Sequence, residues 1–180
     1  MLSSLRSLIR DVPDFPKPGI VFKDVTPLLA DPAGLSLAVE LMANPFRHEK
    51  IDVVAGPESR GFIFGTAVAR TLNAGFVPVR KPGKLPYRTR SIEYALEYGT
   101  DALHVHEDAV KPGMRVLIVD DLLATGGTLG AAVQRLGPTG LGGTIVGASV
   151  LIELSFLEGR KRLAQMTGES NIKLSALITY

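Results

Sequence analysis

The stretch VLIVDDLLATGGT (116–128) places two adjacent carboxylates, Asp120 and Asp121, directly after four apolar residues and just ahead of the run Ala124, Thr125, Gly126, Gly127 and Thr128. Glycines let backbone N–H groups turn towards a ligand, the threonines add hydroxyl donors, and a helix opening near Thr128 supplies partial positive charge. Together these make a cradle for a phosphate monoester. An ordinary glycine turn with a threonine N-cap is the competing reading. Neighbouring carboxylates repel one another, so their place beside a phosphate pocket makes sense when the ligand is a sugar phosphate. They can accept hydrogen bonds from vicinal ribose hydroxyls, oppose positive charge developing on the ring, or hold Mg²⁺ through water. No Gly-Lys-Ser/Thr follows, which excludes a Walker A loop. GGTLG has the wrong glycine spacing for the dinucleotide fingerprint, and GLGGTI lacks its third glycine. A second feature is RKPGKLPYRTR (80–90), in which Arg80, Lys81, Lys84, Arg88 and Arg90 share a Gly/Pro-bearing stretch. Helix and strand are not expected there. It reads as a mobile basic loop, with a plain solvated loop as the alternative.

These groups need elements to hold them. Four apolar runs read as buried strands: IDVVA (51–55), GFVPV (75–79), RVLIV (115–119) and TIVGASVLI (144–152). Helical patterns lie at LSLAVELM (35–42), FIFGTAVARTL (62–72) and TLGAAVQRL (128–136). Strands alternating with helices predict a parallel α/β sheet. Ligands bind beyond the carboxyl ends of strands in such sheets, so GPESRGF, RKPGK and DDLLATGGT should converge on one edge. The segment 91–110 breaks the alternation and is expected to be an antiparallel hairpin turning at Gly99-Thr100. His104 and His106 alternate onto one face of it, and with no third ligand they read as solvent-facing rather than metal-bound. An amphipathic N-terminal helix is expected, with Leu2, Leu5, Leu8 and Ile9 on one face.

Composition bounds the class. A chain of 180 residues fits one domain, and at that length about 70% of the unfolded surface can be buried. The 46% hydrophobic and 21% charged content is ordinary for a globular protein and indicates neither a disordered chain nor a coiled coil. A net charge of +2 argues against a nucleic-acid-coating surface. Cysteine is absent, which removes disulfides and thiolate metal sites. No apolar run reaches the ~18 residues of a spanning helix, and the N-terminus lacks the apolar block of a signal peptide. A soluble, cytoplasmic protein without membrane contact is the expectation.

The Asp-Asp-(x)₂-Ala-Thr-Gly-Gly-Thr pattern resembles the phosphoribosyl diphosphate (PRPP) motif of the type I phosphoribosyltransferases. DFPKPGIVFKDVTPLLADP (14–32), ESRGFIFG (58–65), VRKPGKLP (79–86), LEYGTDAL (96–103) and VDDLLATGGT (119–128) extend the resemblance over nearly the whole chain. They narrow it to the adenine phosphoribosyltransferases. The resemblance implies the type I fold: a mostly parallel sheet flanked by helices, a hood of N- and C-terminal segments, and a flexible β-hairpin lid. It implies an Mg²⁺-dependent glycosyltransferase that makes AMP and pyrophosphate from adenine and PRPP in purine salvage, working as a homodimer. Mg²⁺ would be held mainly by PRPP, pyrophosphate and water, with no direct protein ligand. By the same resemblance, residues 124–128 hold the 5′-phosphate, and Arg60, Arg80, Lys81 and Lys84 hold pyrophosphate. Residues 84–90 form the lid. Phe22 stacks on adenine, the backbone of Val21 and Lys23 reads its edge, and Leu154 covers the other face. Glu97 handles the proton at N7, with Tyr98 helping to close the lid. Arg60 could instead be a partner for Glu58, and Phe22 could simply be core. Lys23 stands where the family often has arginine. A transferase for another purine, a PRPP-sensing regulator and a dinucleotide-binding oxidoreductase are the rival functions.

Overall fold

The computed structural model describes residues 2–95, 100–167 and 172–180. Helix α1 (Leu2–Ser7) leads into a hairpin of β1 (Arg10–Pro13) and β2 (Val21–Asp24), followed by α2 (Thr26–Ala30) and α3 (Pro32–Ala43). Then come β3 (Val53–Pro57), α4 (Arg60–Thr71), β4 (Gly75–Val79), a second hairpin of β5 (Thr89–Ala95) and β6 (Thr100–His106), and β7 (Arg115–Leu123). The chain closes with α5 (Gly127–Leu136), β8 (Thr144–Glu153), α6 (Gly159–Thr167) and β9 (Lys173–Thr179).

Strands β4-β3-β7-β8-β9 form one sheet in that order, and every neighbouring pair is parallel. Its centre is β7, where Val116, Leu117, Ile118 and Val119 are all fully buried. Successive strand residues point to opposite faces. Leu117 and Val119 therefore pack with Met42, Phe46, Phe64 and Val68 on one side. Val116 and Ile118 pack with Leu129, Val133 and Leu136 on the other. A strand covered on both faces needs an unbroken apolar run, which is why these segments are visible in the sequence. The N-terminus of α3 is held by Asp31, whose carboxylate accepts from Gly34 N at 2.6 Å, with Pro32 opening the helix.

Three expectations are corrected here. The acidic pair does not lie beyond the third strand but inside it, because β7 keeps pairing with β8 through Asp120↔Val150, Leu122↔Ile152 and Leu123↔Glu153. The basic stretch is not wholly irregular: Arg80 bridges His104, and Thr89 and Arg90 begin β5. The hairpin is antiparallel, paired from Thr89↔His106 to Ala95↔Thr100. Gly99 of the expected turn lies outside the described residues. His104 and His106 are half-buried rather than solvent-facing. Thr89 Oγ1 lies 3.0 Å from His104 Nδ1, and Tyr87 packs edge-on to His106.

The chain ends meet above the carboxyl edge of the sheet. Arg6 Nη2 donates to Thr179 O at 2.7 Å and its guanidinium lies 4.4 Å from the Tyr180 ring centroid. Lys23 Nζ lies 4.1 Å from that centroid, and Ser155 Oγ donates to Tyr180 O. These contacts join α1, the β1–β2 hairpin and the C-terminal strand, the terminal segments expected to form a hood. Of the amphipathic N-terminal face, Leu5 and Ile9 are buried while Leu2 is exposed. No helix among the described residues is long and apolar enough to cross a membrane.

Candidate active site

A cavity of about 340 Å³ opens at the carboxyl ends of β3 and β7, lined by Glu58, Ser59, Arg60, Asp120, Asp121 and the loop from Leu122 to Leu129. Asp120 and Asp121 sit in its wall, 8% and 6% exposed. Asp120 Oδ1 accepts the Asp121 N–H at 2.9 Å. Burial, and then the neighbouring Asp121 charge, push the Asp120 carboxyl well above the usual range. Space beside it is reserved: a Cβ on Gly61 would lie 2.8 Å from Asp120 Oδ1 and 3.2 Å from Val119 O. Only glycine lets the start of α4 come this close to the acid.

The phosphate-loop residues follow. Gly126 precedes α5 with φ +80°, and no side chain caps the helix. The competing reading of a threonine N-cap is thus not met, and the first-turn N–H groups have no side-chain capping oxygen. Below the loop runs the first residue of α6: a Cβ on Gly126 would lie 2.5 Å from Gly159 O. Arg160 fastens that helix, donating through Nε and Nη2 to the two oxygens of Glu153 at 2.7 Å each, and through Nη1 to Leu174 O. Glu153 and Gly159 carry no recognisable signal in the sequence, because their importance lies in contacts across elements.

The cations divide between two carboxylates. Arg60, at the start of α4, donates from Nε to Asp121 Oδ2 at 2.5 Å, so its partner is the acidic pair and not Glu58. Glu58 instead accepts from Arg80 Nε at 2.8 Å and Lys84 Nζ at 2.7 Å. Burial pushes the Glu58 carboxyl up, but the hydrogen bonds from Lys84 and Arg80 outweigh it and hold it below the ordinary value. The Glu58–Ser59 peptide is cis.

Phe22 on β2 lies beside Arg60, a residue of the cavity wall. Its ring centroid is 5.3 Å from the Arg60 guanidinium, and Phe15 packs edge-on at 5.2 Å. Phe22 is half-buried, so it is not sealed in the core and its ring can meet a ligand. Val21 is 49% exposed. The Lys23 side chain reaches Asp11 and Tyr180, and its backbone stands opposite Asp11 in the β1–β2 ladder. Leu154 follows β8, and its N–H donates to Leu123 O at 2.9 Å beside the phosphate loop. Glu97 and Tyr98 lie outside the described residues.

The arrangement thus offers a glycine-led helix start and a carboxylate pair around one opening, with further cations and an aromatic ring against its wall residues Glu58 and Arg60, the inventory for a phosphorylated sugar and a flat base. Among the described residues no cluster of three His, Asp or Glu side chains forms a metal cage.

Comparison with known proteins agrees with this geometry. The phosphoribosyl transferase domain model matches residues 24–166. An adenine phosphoribosyltransferase from Rhodopirellula baltica is 59% identical over 160 residues, covering 89% of this chain and 77% of the relative. The crystal structure of adenine phosphoribosyltransferase from Rhodothermus marinus superposes with TM-score 0.90 at 51% identity, covering 99% of this chain and 98% of that one. The Trypanosoma brucei adenine phosphoribosyl transferase, in complex with AMP, pyrophosphate and ribose-5-phosphate, gives TM-score 0.86 at 27% identity, covering 99% and 79% respectively.

Proposed function

The chain belongs to the adenine phosphoribosyltransferase family, and from that premise we propose that its cavity transfers the 5-phosphoribosyl group of PRPP to adenine, releasing AMP and pyrophosphate for purine salvage. The observation that carries the reading is the Asp120–Asp121 pair standing in one cavity with the Gly126-led start of α5 and with Arg60. Phosphate alone would not call for two buried carboxylates. A phosphorylated ribose that becomes cationic does.

The helix start and residues 124–128 hold the 5′-phosphate, which places the ribose over β7. There Asp120 and Asp121 accept hydrogen bonds from its hydroxyls. As the C1′–O bond to pyrophosphate breaks, the electron pair leaves with pyrophosphate and the ring acquires oxocarbenium character. The two carboxylates then face developing positive charge, an interaction stronger in the transition state than in the ground state. Arg60, Arg80, Lys81 and Lys84 receive the negative charge arriving on the leaving group. Phe22 stacks on adenine against Leu154, the backbone at Val21 and Lys23 reads its edge, and N9 forms the new bond to C1′. Glu97 handles the proton at N7, and Tyr98 helps the lid exclude water. Mg²⁺ fits this donor set: a hard cation that keeps phosphate oxygens and water as ligands needs only nearby carboxylates. When bound, it would neutralise charge on PRPP and pyrophosphate, with Asp120 and Asp121 the residues closest in kind to hold its water. A homodimer in the cytoplasm completes the proposal, resting on the family resemblance and the cysteine-free composition.

An Mg²⁺-dependent assay with PRPP and adenine, hypoxanthine or guanine in turn tests the reading. AMP and pyrophosphate are expected from adenine alone. Turnover only with another base would overturn the Phe22 pocket, and PRPP binding without turnover would overturn catalysis. Phe22→Ala is expected to raise the adenine KM roughly 10-fold with little change for PRPP, since base–aromatic stacking contributes about 1–3 kcal/mol. Steady-state kinetics with each substrate varied will check this, and equal shifts in both constants would count against the stacking role.

A further inference from the structure

Glu58 has no part in the roles above, yet the leaving-group cations are tied to it. It directly follows β3, and its own N–H donates to Val79 O at 2.9 Å, which joins the ends of β3 and β4 just ahead of Arg80. Its side chain is only 7% exposed, against 33% for Arg80 and 50% for Lys84. Oε2 accepts from Arg80 Nε at 2.8 Å and Oε1 from Lys84 Nζ at 2.7 Å. The backbone N–H of Lys81 donates to the same carboxylate. Arg80 Nη1 then reaches Lys84 O at 3.1 Å, so the loop is folded around one buried acid. Glu58 also lines the cavity that holds Asp120, Asp121 and the phosphate loop.

We propose that Glu58 is a positioning residue for the leaving group: it gathers Arg80 and Lys84 at the cavity before pyrophosphate is bound. The proposal rests on the pyrophosphate reading of this loop. Its physical basis is that arginine and lysine lose much rotamer freedom when fixed, and a partner that fixes them beforehand removes that cost from the binding step. The carboxylate does not consume the cations. Arginine has five N–H donors and the ammonium three, while Glu58 accepts one bond from each side chain, and the two cations still exceed its single charge. The Lys84 and Arg80 hydrogen bonds hold the carboxyl below its ordinary value, which favours the ionised form that both cations need.

Calorimetric titration of Mg²⁺-pyrophosphate and, separately, AMP into wild type and Glu58→Gln will test this. The amide has the shape of the carboxylate, but it replaces one of the two oxygens that now accept from Arg80 and Lys84 with an N–H₂ that faces a cation, and it carries no charge. Pyrophosphate affinity is expected to fall about 10-fold while AMP affinity stays within twofold. Unchanged or tighter pyrophosphate binding would overturn the proposal, and so would an equal loss for both ligands, which would mark a general structural role. A wild type that fails to bind pyrophosphate would instead overturn the reading of the loop. Should Glu58→Gln not fold, Glu58→Asp carries the same test, because a carboxylate one methylene shorter cannot keep both bonds. Wild-type affinity in that variant would overturn the proposal.

Discussion

Replacing Asp120 with asparagine is expected to lower kcat by about 10²- to 10³-fold and, at the same time, to raise the thermal unfolding midpoint at neutral pH. The catalytic loss follows from its proposed place beside the ribose: a fixed, buried charge that faces developing positive charge is worth roughly that factor when removed. The stability gain follows from the cost of ionising this group. Burial first, and the Asp121 charge second, push its carboxyl well above the ordinary aspartate value of 3.8. The folded chain therefore holds this proton more tightly than the unfolded one, so stability linked to Asp120 is fully present below pH 3.8 and is lost as pH rises through the folded-state pKa. Asparagine has no charge to lose and can still accept the Asp121 N–H that Asp120 Oδ1 now accepts. The midpoint difference between variant and wild type should then be largest at pH 7 and shrink towards pH 4. Calorimetric scans across that range, paired with initial rates, check both halves. A variant less stable than wild type at pH 7 would show that the acid is held by compensating contacts, and near-normal turnover would remove it from the reaction. Asp121→Asn should differ, because Asp121 is engaged by Arg60 at 2.5 Å. The double substitution is expected to lose most of the activity.

That contrast between neighbouring acids also shows where sequence reading stops. The DDLLATGGT pattern placed both residues in one pocket with the phosphate loop, because local spacing is enough to join a strand end to a helix start. It could not say that β7 runs on through Asp120 and Asp121, since a ladder to β8 that outlasts the apolar run is a property of the partner strand. Strand β4 has the bounds expected from GFVPV alone, because a short unbroken apolar run writes itself into composition even at the edge of the sheet. Strand β9 and the β1–β2 hairpin do not: they are an edge strand and four-residue strands with mostly exposed or half-buried side chains, where polar and apolar residues mix. Partnerships were least legible. Arg60 finds Asp121 across 61 positions, and Glu58 finds Arg80 and Lys84 across a strand and a helix. Charge types in a sequence do not reveal such choices. Glu97 and Tyr98 rest on the family resemblance alone.

Gly126→Ala is the second large effect, and the close approach behind it lies between elements that the local pattern does not connect. Alanine at φ +80° carries a left-handed backbone penalty of about 1–2 kcal/mol. Its Cβ would also stand 2.5 Å from Gly159 O and 3.2 Å from Gly159 C. The α6 backbone cannot simply retreat, because Arg160 holds it to Glu153 and Leu174. Gly159 in turn presses on the loop, where its own Cβ would meet Ala124 O at 2.3 Å. The loop must therefore move, and with it the N–H groups aimed at the 5′-phosphate. We expect the PRPP KM to rise by at least 10²-fold, consistent with the cost of displacing a binding group by about 1 Å, and AMP affinity to fall in parallel. Gly113→Ala separates the two causes. Gly113 has φ +84° but no atom within 4 Å of an added Cβ, so it should lose similar backbone stability with unchanged kinetics. If the two variants behave alike, with PRPP KM within twofold of wild type, then the Gly126–Gly159 contact does not shape the phosphate site, and backbone strain alone accounts for the glycine.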